Sequence, residues 1–101
     1  MISDNNKLTD TATEQIERLL TPDFPETEAY RYNSASIRIR IIDEQFKGKS
    51  LVEREELVLP LIHKLAPQIQ EDITVLLLLA PEETSASLMN AEFEEPTPSG
   101  L

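Results

Sequence analysis

The chain has 101 residues, contains no cysteine and carries a formal net charge of −10 at pH 7. This length suits one compact domain, and the lack of cysteine excludes disulfides, thiolate metal sites and cysteine nucleophiles. A balance this acidic repels nucleic-acid phosphates and anionic membranes. The longest apolar run, ITVLLLLA at 73–80, is too short to cross a bilayer. The polar N-terminus lacks the layout of a signal peptide, which predicts a cytoplasmic location.

The N-terminal quarter of the chain predicts a capped helix behind a polar tail. Residues 1–9 are expected to be a flexible tail. Asp10 or Thr11 can cap a helix that continues to about Leu20, because apolar residues recur there at helical spacing. The two prolines of TPDFPE, residues 21–26, then end the helix.

The stretch that follows predicts two paired strands joined by a turn at Asn33-Ser34. Tyr30 and Tyr32 indicate the first strand. In the second strand, isoleucines alternate with polar residues, and this period of two predicts one buried face and one wet face. The isoleucines are Ile37, Ile39 and Ile41, and the residues between them are Arg38 and Arg40.

The sequence FKGKSLVERE, residues 46–55, predicts the passage from a strand into a helix. Gly48 can adopt the positive φ that a tight turn needs. Ser50 and Glu53 have the spacing of a capping box, in which each side chain bonds the other residue's backbone N–H. The helix contains Pro60, which predicts a kink or two short helices meeting just before it.

The last third of the chain predicts a strand and a final helix. The run ITVLLLL at 73–79 is expected to be the central strand, covered on both faces, and Pro81 suits the first turn of the final helix. Residues 94–101 are expected to be a disordered tail. The predicted fold is α+β: a three-stranded mixed sheet with helices on one face, in the order α-β-β-α(α)-β-α, within a single domain of residues 10–93.

Basic residues concentrate in the middle of the chain and supply the candidate binding site. Most of the nine lie between 31 and 54. Arginine beside Tyr30 and Tyr32 could stack on single-stranded nucleic acid, although cross-strand packing is the more ordinary interpretation. Gly48 alone cannot build a phosphate loop, which needs several glycines. The candidate binding residues are Arg38, Arg40, Lys47, Gly48, Lys49 and Arg54.

Carboxylates offer a second candidate chemistry. Glu53, Glu55, Glu56 and Asp72 could bind a hard divalent cation or act as acid and base, whereas a solvated helix face is the more ordinary interpretation. His63 is the single histidine, and one histidine cannot build a zinc site.

The stretch from residue 37 to residue 62 resembles the BolA family, whose members carry a strand, a Phe-x-Gly-Lys-Ser turn and a helix opening with leucine, valine and an arginine–histidine pair. LLLLAPEE resembles the family's last strand and its ending, and the resemblance covers about residues 12–83. It implies an α-β-β-α-α-β order with a KH-like (class II) arrangement, in agreement with the elements predicted above. The matching residues are Phe46, Gly48, Lys49, Ser50, Leu51, Val52, Arg54 and Val58.

The resemblance also implies partnership with monothiol glutaredoxins through an iron–sulfur cluster held by histidine. Here Glu55 stands where the family has the histidine after the helix arginine, and Asp72 aligns with the histidine that starts the last strand. Neither residue is a soft metal ligand, so the cluster-binding histidines are absent and no cofactor is predicted.

Three functions are consistent with these patterns. The first is a small non-enzymatic module that binds a protein partner, with a BolA-like fold, as a monomer or weak dimer. The alternatives are a KH-like module for single-stranded nucleic acid, which the net acidity disfavours, and a carboxylate-only divalent-cation site or enzyme. No membrane partner is expected.

Overall fold

In the computed structural model, which describes residues 7–98, the chain forms a three-stranded mixed sheet with four α-helices. The first strand pairs antiparallel with the second, and the third strand pairs parallel with the second. This confirms the predicted α+β class and the three-stranded mixed sheet. The elements in chain order are α1 (Thr11–Leu20), β1 (Thr27–Asn33), β2 (Ser36–Ile42), α2 (Leu51–Ile62), α3 (Pro67–Asp72), β3 (Ile73–Leu79) and α4 (Leu88–Glu94).

The ends of the first two long helices follow local capping chemistry. The Asp10 side chain accepts a hydrogen bond from the backbone N–H of Thr13 at 2.9 Å, and the Thr13 hydroxyl accepts the N–H of Asp10 in return at 2.9 Å. Ser50 and Glu53 make the same reciprocal pair at the start of α2. Each pair satisfies backbone donors that would otherwise lack an intrahelical partner, so both predicted N-termini are confirmed.

The core lies between α1, α2 and one face of the sheet, called here the inner face. Three alternating isoleucines of β2 are fully buried on this face, and they contact buried side chains of α1 and α2. Burial of each such side chain contributes about 1.5–3 kcal/mol. The residues that form this contact are Ile16, Leu20, Ile37, Ile39, Ile41, Val58 and Ile62.

The prediction that the run at 73–79 is the central strand is wrong. β2 is central, since β1 pairs with one of its edges and β3 with the other. An apolar run suits an edge strand here because Leu78 joins the core on the inner face. On the opposite face, Val75 lies beside Met89 and Phe93 of α4. The apolar run therefore indicates that both faces of β3 are at least partly covered. It does not indicate where the strand lies in the sheet.

The break between the second and third helices lies after α2 and not at Pro60. α2 continues through Pro60, and α3 begins after a short connection at residues 63–66. Pro60 and Glu56, the residue whose carbonyl loses its N–H partner, both have exposed side chains. The unpaired carbonyl is therefore on the solvent side of α2, where water can satisfy it.

Helices lie on both faces of the sheet. α1 and α2 pack on the inner face as predicted, whereas α4 packs on the opposite face, called here the outer face, against Arg38 and Arg40. Pro81 starts a single 3-10 turn, and α4 begins later because the Ser87 side chain caps it by accepting the N–H of Asn90.

The predicted tails, residues 1–9 and 94–101, each include a residue that makes specific contacts. Leu8 forms an antiparallel bridge with Arg31 through two backbone hydrogen bonds. Near the other end, the Tyr32 hydroxyl donates to the carbonyl of Thr97. Residues 1–6 and 99–101 lie outside the described residues, and the limits 10–93 stay a prediction. No helix within residues 7–98 is long and apolar enough to cross a bilayer.

Candidate functional site

Arg38 and Arg40 on the outer face are held by α4. Arg38 donates to Glu92 at 3.0 Å, and its guanidinium lies 3.7 Å from the centre of the Tyr32 ring. The Arg40 side chain is only 10% exposed. It donates to Glu28 at 3.0 Å and to Asn90 at 2.8 Å, and it forms an ion pair with Glu94. Both guanidinium groups therefore already have charged partners within the chain.

Phe93 fastens α4 to the outer face. It is 2% exposed, and its ring centre lies 4.7 Å from that of Tyr30. The Tyr30 hydroxyl donates to the carbonyl of Phe93 at 2.8 Å, and burial raises the pKa of this hydroxyl above its ordinary value. Tyr30, Arg38 and Arg40, considered above as a possible stacking surface for nucleic acid, pack against the chain's own last helix, and Arg38 also packs across strands on Tyr32.

Arg54 ties the start of α2 to the end of β3. Its guanidinium makes two parallel hydrogen bonds to the Glu83 carboxylate at 2.7 and 2.8 Å. It also donates to the carbonyls of Leu78 and Lys49, each at 2.9 Å. Arg54 is thus a structural clamp, and its hydrogen bonds, together with the N–H of Ala80, lower the pKa of Glu83 from 4.5 to about 2.

This clamp makes stability depend on pH. Because the Glu83 pKa is lower in the folded state, the clamp stabilises the fold above about pH 4.5 and loses this effect as pH falls toward 2. We expect Glu83→Gln to melt at a lower temperature than the natural chain at pH 7, and the gap to close by about pH 2. Thermal unfolding followed by circular dichroism measures this. A difference in melting temperature that stays constant between pH 7 and about pH 2 would contradict a stabilising role for the Arg54–Glu83 pair.

The turn between β2 and α2 carries the remaining candidate residues. Phe46 is fully buried, Gly48 has φ +74°, and the side chains of residues 47–53 are all exposed. Alanine at Gly48 would meet no atom within 4 Å, so the positive φ alone favours glycine. We call five of these exposed residues the turn surface. They are Lys47, Gly48, Lys49, Leu51 and Val52, and they leave out the capping residues Ser50 and Glu53.

The turn surface includes two aliphatic residues that were not among the candidate binding residues predicted from the sequence. Leu51 and Val52 are 60% and 62% exposed. Helical spacing places Leu51 with Val58 on the apolar side of α2, but Leu51 lies in the first turn, where no element of residues 7–98 covers it. The adjacent pair Leu-Val directly after a cap is a sequence signal that could have identified them.

The carboxylates do not assemble into a metal site. Glu53 caps α2, and its hydrogen bonds from Ser50 lower its pKa. Asp72 is paired with Arg31 at 2.9 Å. Among residues 7–98 no group of three or more histidine or acidic side chains could hold a metal ion. Glu55 and the ion-paired Asp72 offer hard carboxylate oxygens, which do not suit the soft-metal chemistry of an iron–sulfur cluster.

Comparison with known proteins supports the fold. No family model matches the chain, and no curated protein matches it. Among solved structures, the chain is similar to BolA1 from Arabidopsis thaliana, with 16% sequence identity and a TM-score of 0.50. The similarity covers 74% of this chain and 98% of that one. The predicted BolA-like fold is confirmed, and at this identity the comparison concerns the fold alone.

Proposed function

We propose that this protein is a non-enzymatic interaction module that binds a protein partner through the turn surface. The observation that carries the proposal is that two exposed aliphatic side chains, Leu51 and Val52, follow two exposed lysines on a turn that is anchored to the core. The buried Phe46 anchors this turn in the core, and Arg54 donates a hydrogen bond to the carbonyl of Lys49 within the turn. Adjacent exposed apolar side chains on a well-anchored element are typical of protein contact sites.

The charge of the turn surface indicates the kind of partner. Four arginines are engaged in short ion pairs within the fold: Arg31, Arg38, Arg40 and Arg54. Among residues 7–98, Lys47 pairs only with Glu82, at 3.6 Å and with both side chains at least half exposed. Such a pair contributes little and can be exchanged for another. On a chain of net charge −10, these lysines favour a partner that presents carboxylates around an aliphatic pocket.

The two alternative functions have less support. A nucleic-acid module would need the outer-face arginines, which contact α4. A carboxylate site would need Glu53 and Asp72, which are engaged with Ser50 and Arg31.

We expect Lys47→Glu/Lys49→Glu to lose the partner. Purification of the tagged natural chain from its native cells should recover one stoichiometric protein, and the variant should retain at least about tenfold less of it, equivalent to about 1.4 kcal/mol. Arg18→Glu/Lys64→Glu is the matched control, since it makes the same change of charge at exposed positions of α1 and beyond the end of α2. Equal recovery by both variants, or no stoichiometric partner for the natural chain, would refute the proposal.

A further inference from the structure

The edge of β3 that faces away from β2 plays no part in the proposed function. Within residues 7–98, β3 pairs with β2 on one side, and no strand pairs with its other side. All seven residues of β3, ITVLLLL, are uncharged, and none is proline or glycine. Natural edge strands usually carry charges or proline that prevent another strand from pairing with them. β3 lacks these devices.

The backbone contacts at the end of β3 show which groups face outward. The Leu79 carbonyl accepts the N–H of Asp43 on the β2 side. The Leu78 carbonyl instead accepts from the Arg54 side chain at 2.9 Å. Since backbone groups alternate in direction along a strand, the N–H and C=O of Leu76 point away from β2. The regular part of this open edge is bounded at one end by the register shift between the pairs Ile37–Ile73 and Arg38–Val75. It is bounded at the other end by Arg54, which occupies the Leu78 carbonyl.

A hollow lies on each side of this open edge, and Val75 lines both. The inner hollow, of about 330 Å³, lies between β3 and the helices α2 and α3. The outer hollow, of about 110 Å³, lies between β3 and α4. The side chains of an added strand would point alternately to the two sides. The apolar residues that they would meet are Leu59, Ile62 and Leu76 in the inner hollow, and Met89 and Phe93 in the outer hollow.

The charges beside the edge favour a basic occupant. Glu55 lines the inner hollow and has no ion pair within 4 Å among residues 7–98, and Glu92 lines the outer one. The single cation of the outer hollow, Arg38, is already paired with Glu92. A second copy of the chain would bring another charge of −10 to this edge. A segment with lysine or arginine is attracted instead.

We propose that the open edge of β3 binds an extended basic–apolar segment of a partner protein, which adds to the sheet as a fourth strand. Main-chain hydrogen bonds to Leu76 and its neighbours supply affinity. The two hollows select aliphatic side chains on both faces of the segment, and Glu55 selects a basic residue. This site is separate from the turn surface and has the opposite charge preference.

The test uses the full chain and a labelled, capped synthetic peptide of sequence KVTVLVK, with binding followed by fluorescence anisotropy at low salt. Two further peptides carry N-methyl groups on alternate residues, so that each blocks the hydrogen bonds of one edge of the peptide. We expect one methylated peptide to bind at least about tenfold more weakly, and the other to bind like the parent. No binding of the parent, or equal binding of all three peptides, would overturn strand addition.

Protein variants test the charge preference in the same assay. Glu55→Lys should weaken binding about fivefold, corresponding to loss of about 1 kcal/mol. Glu14→Lys is the matched control on the exposed side of α1 and should leave binding nearly unchanged. Lys47→Glu/Lys49→Glu should not weaken it, which separates this site from the turn surface. Self-association in sedimentation that the peptide cannot displace would show that a second copy occupies the edge, and would overturn the proposal.

Discussion

Replacing Phe46 by alanine is expected to lower the free energy of unfolding by about 3–4 kcal/mol. The side chain is fully buried, and its ring stacks on Phe24 with centroids 5.8 Å apart. The Arg54 guanidinium lies 6.0 Å from the ring centre. Alanine would leave a cavity under the turn between β2 and α2. Urea denaturation followed by circular dichroism measures the loss.

The matched control for this prediction is Leu51→Ala, five residues further on. Leu51 is 60% exposed, so its truncation should change the unfolding free energy by no more than about 0.5 kcal/mol. If the two variants lost the same stability, Phe46 would not anchor the turn surface. A large loss at Phe46 alone supports its role as the anchor of the turn that carries Lys47 and Val52.

Arg40→Glu is expected to destabilise the protein by about 3–5 kcal/mol. The new carboxylate would lie beside Glu28 and Glu94, the two carboxylates that Arg40 now pairs with in a largely buried position. Repulsion there should also detach α4 from the outer face. Urea denaturation measures the stability, and hydrogen–deuterium exchange at residues 88–98 measures the detachment.

Arg18→Glu serves as the control for Arg40→Glu, because Arg18 is exposed on α1. Its effect should stay within about 0.5 kcal/mol. A stable Arg40→Glu variant with unchanged exchange at residues 88–98 would contradict the structural role of Arg40. In that case the arginine would again be a candidate for partner binding, as its sequence pattern first indicated.

Local rules account for what the sequence predicted correctly. The alternation of Ile37, Ile39 and Ile41 follows from the period of a strand, and it identified β2 and its buried face. The caps at Asp10 and Ser50 depend on residues three positions apart. The preference for glycine at position 48 depends only on the positive φ of that residue. Each of these features is decided within a few residues, so a single sequence contains the information.

The features that the sequence could not give depend on residues far apart in the chain. The place of β3 at the edge is decided by which strands pair with β2, and an apolar run is compatible with either place. Arg38 and Arg40 are covered by residues more than 40 positions later. Before α4 is placed, two arginines on a strand are equally compatible with a binding face, so the sequence could not show that they contact the chain's own last helix.

The central claim is that the turn surface contacts a protein partner. Hydrogen–deuterium exchange of the complex recovered with the natural chain, compared with the chain alone, tests it most directly. Slower exchange over residues 46–53, with unchanged exchange over α4, is the predicted result. Protection of α4 and the outer face with residues 46–53 unchanged would contradict the claim, because the partner would then bind where Arg38 and Arg40 lie.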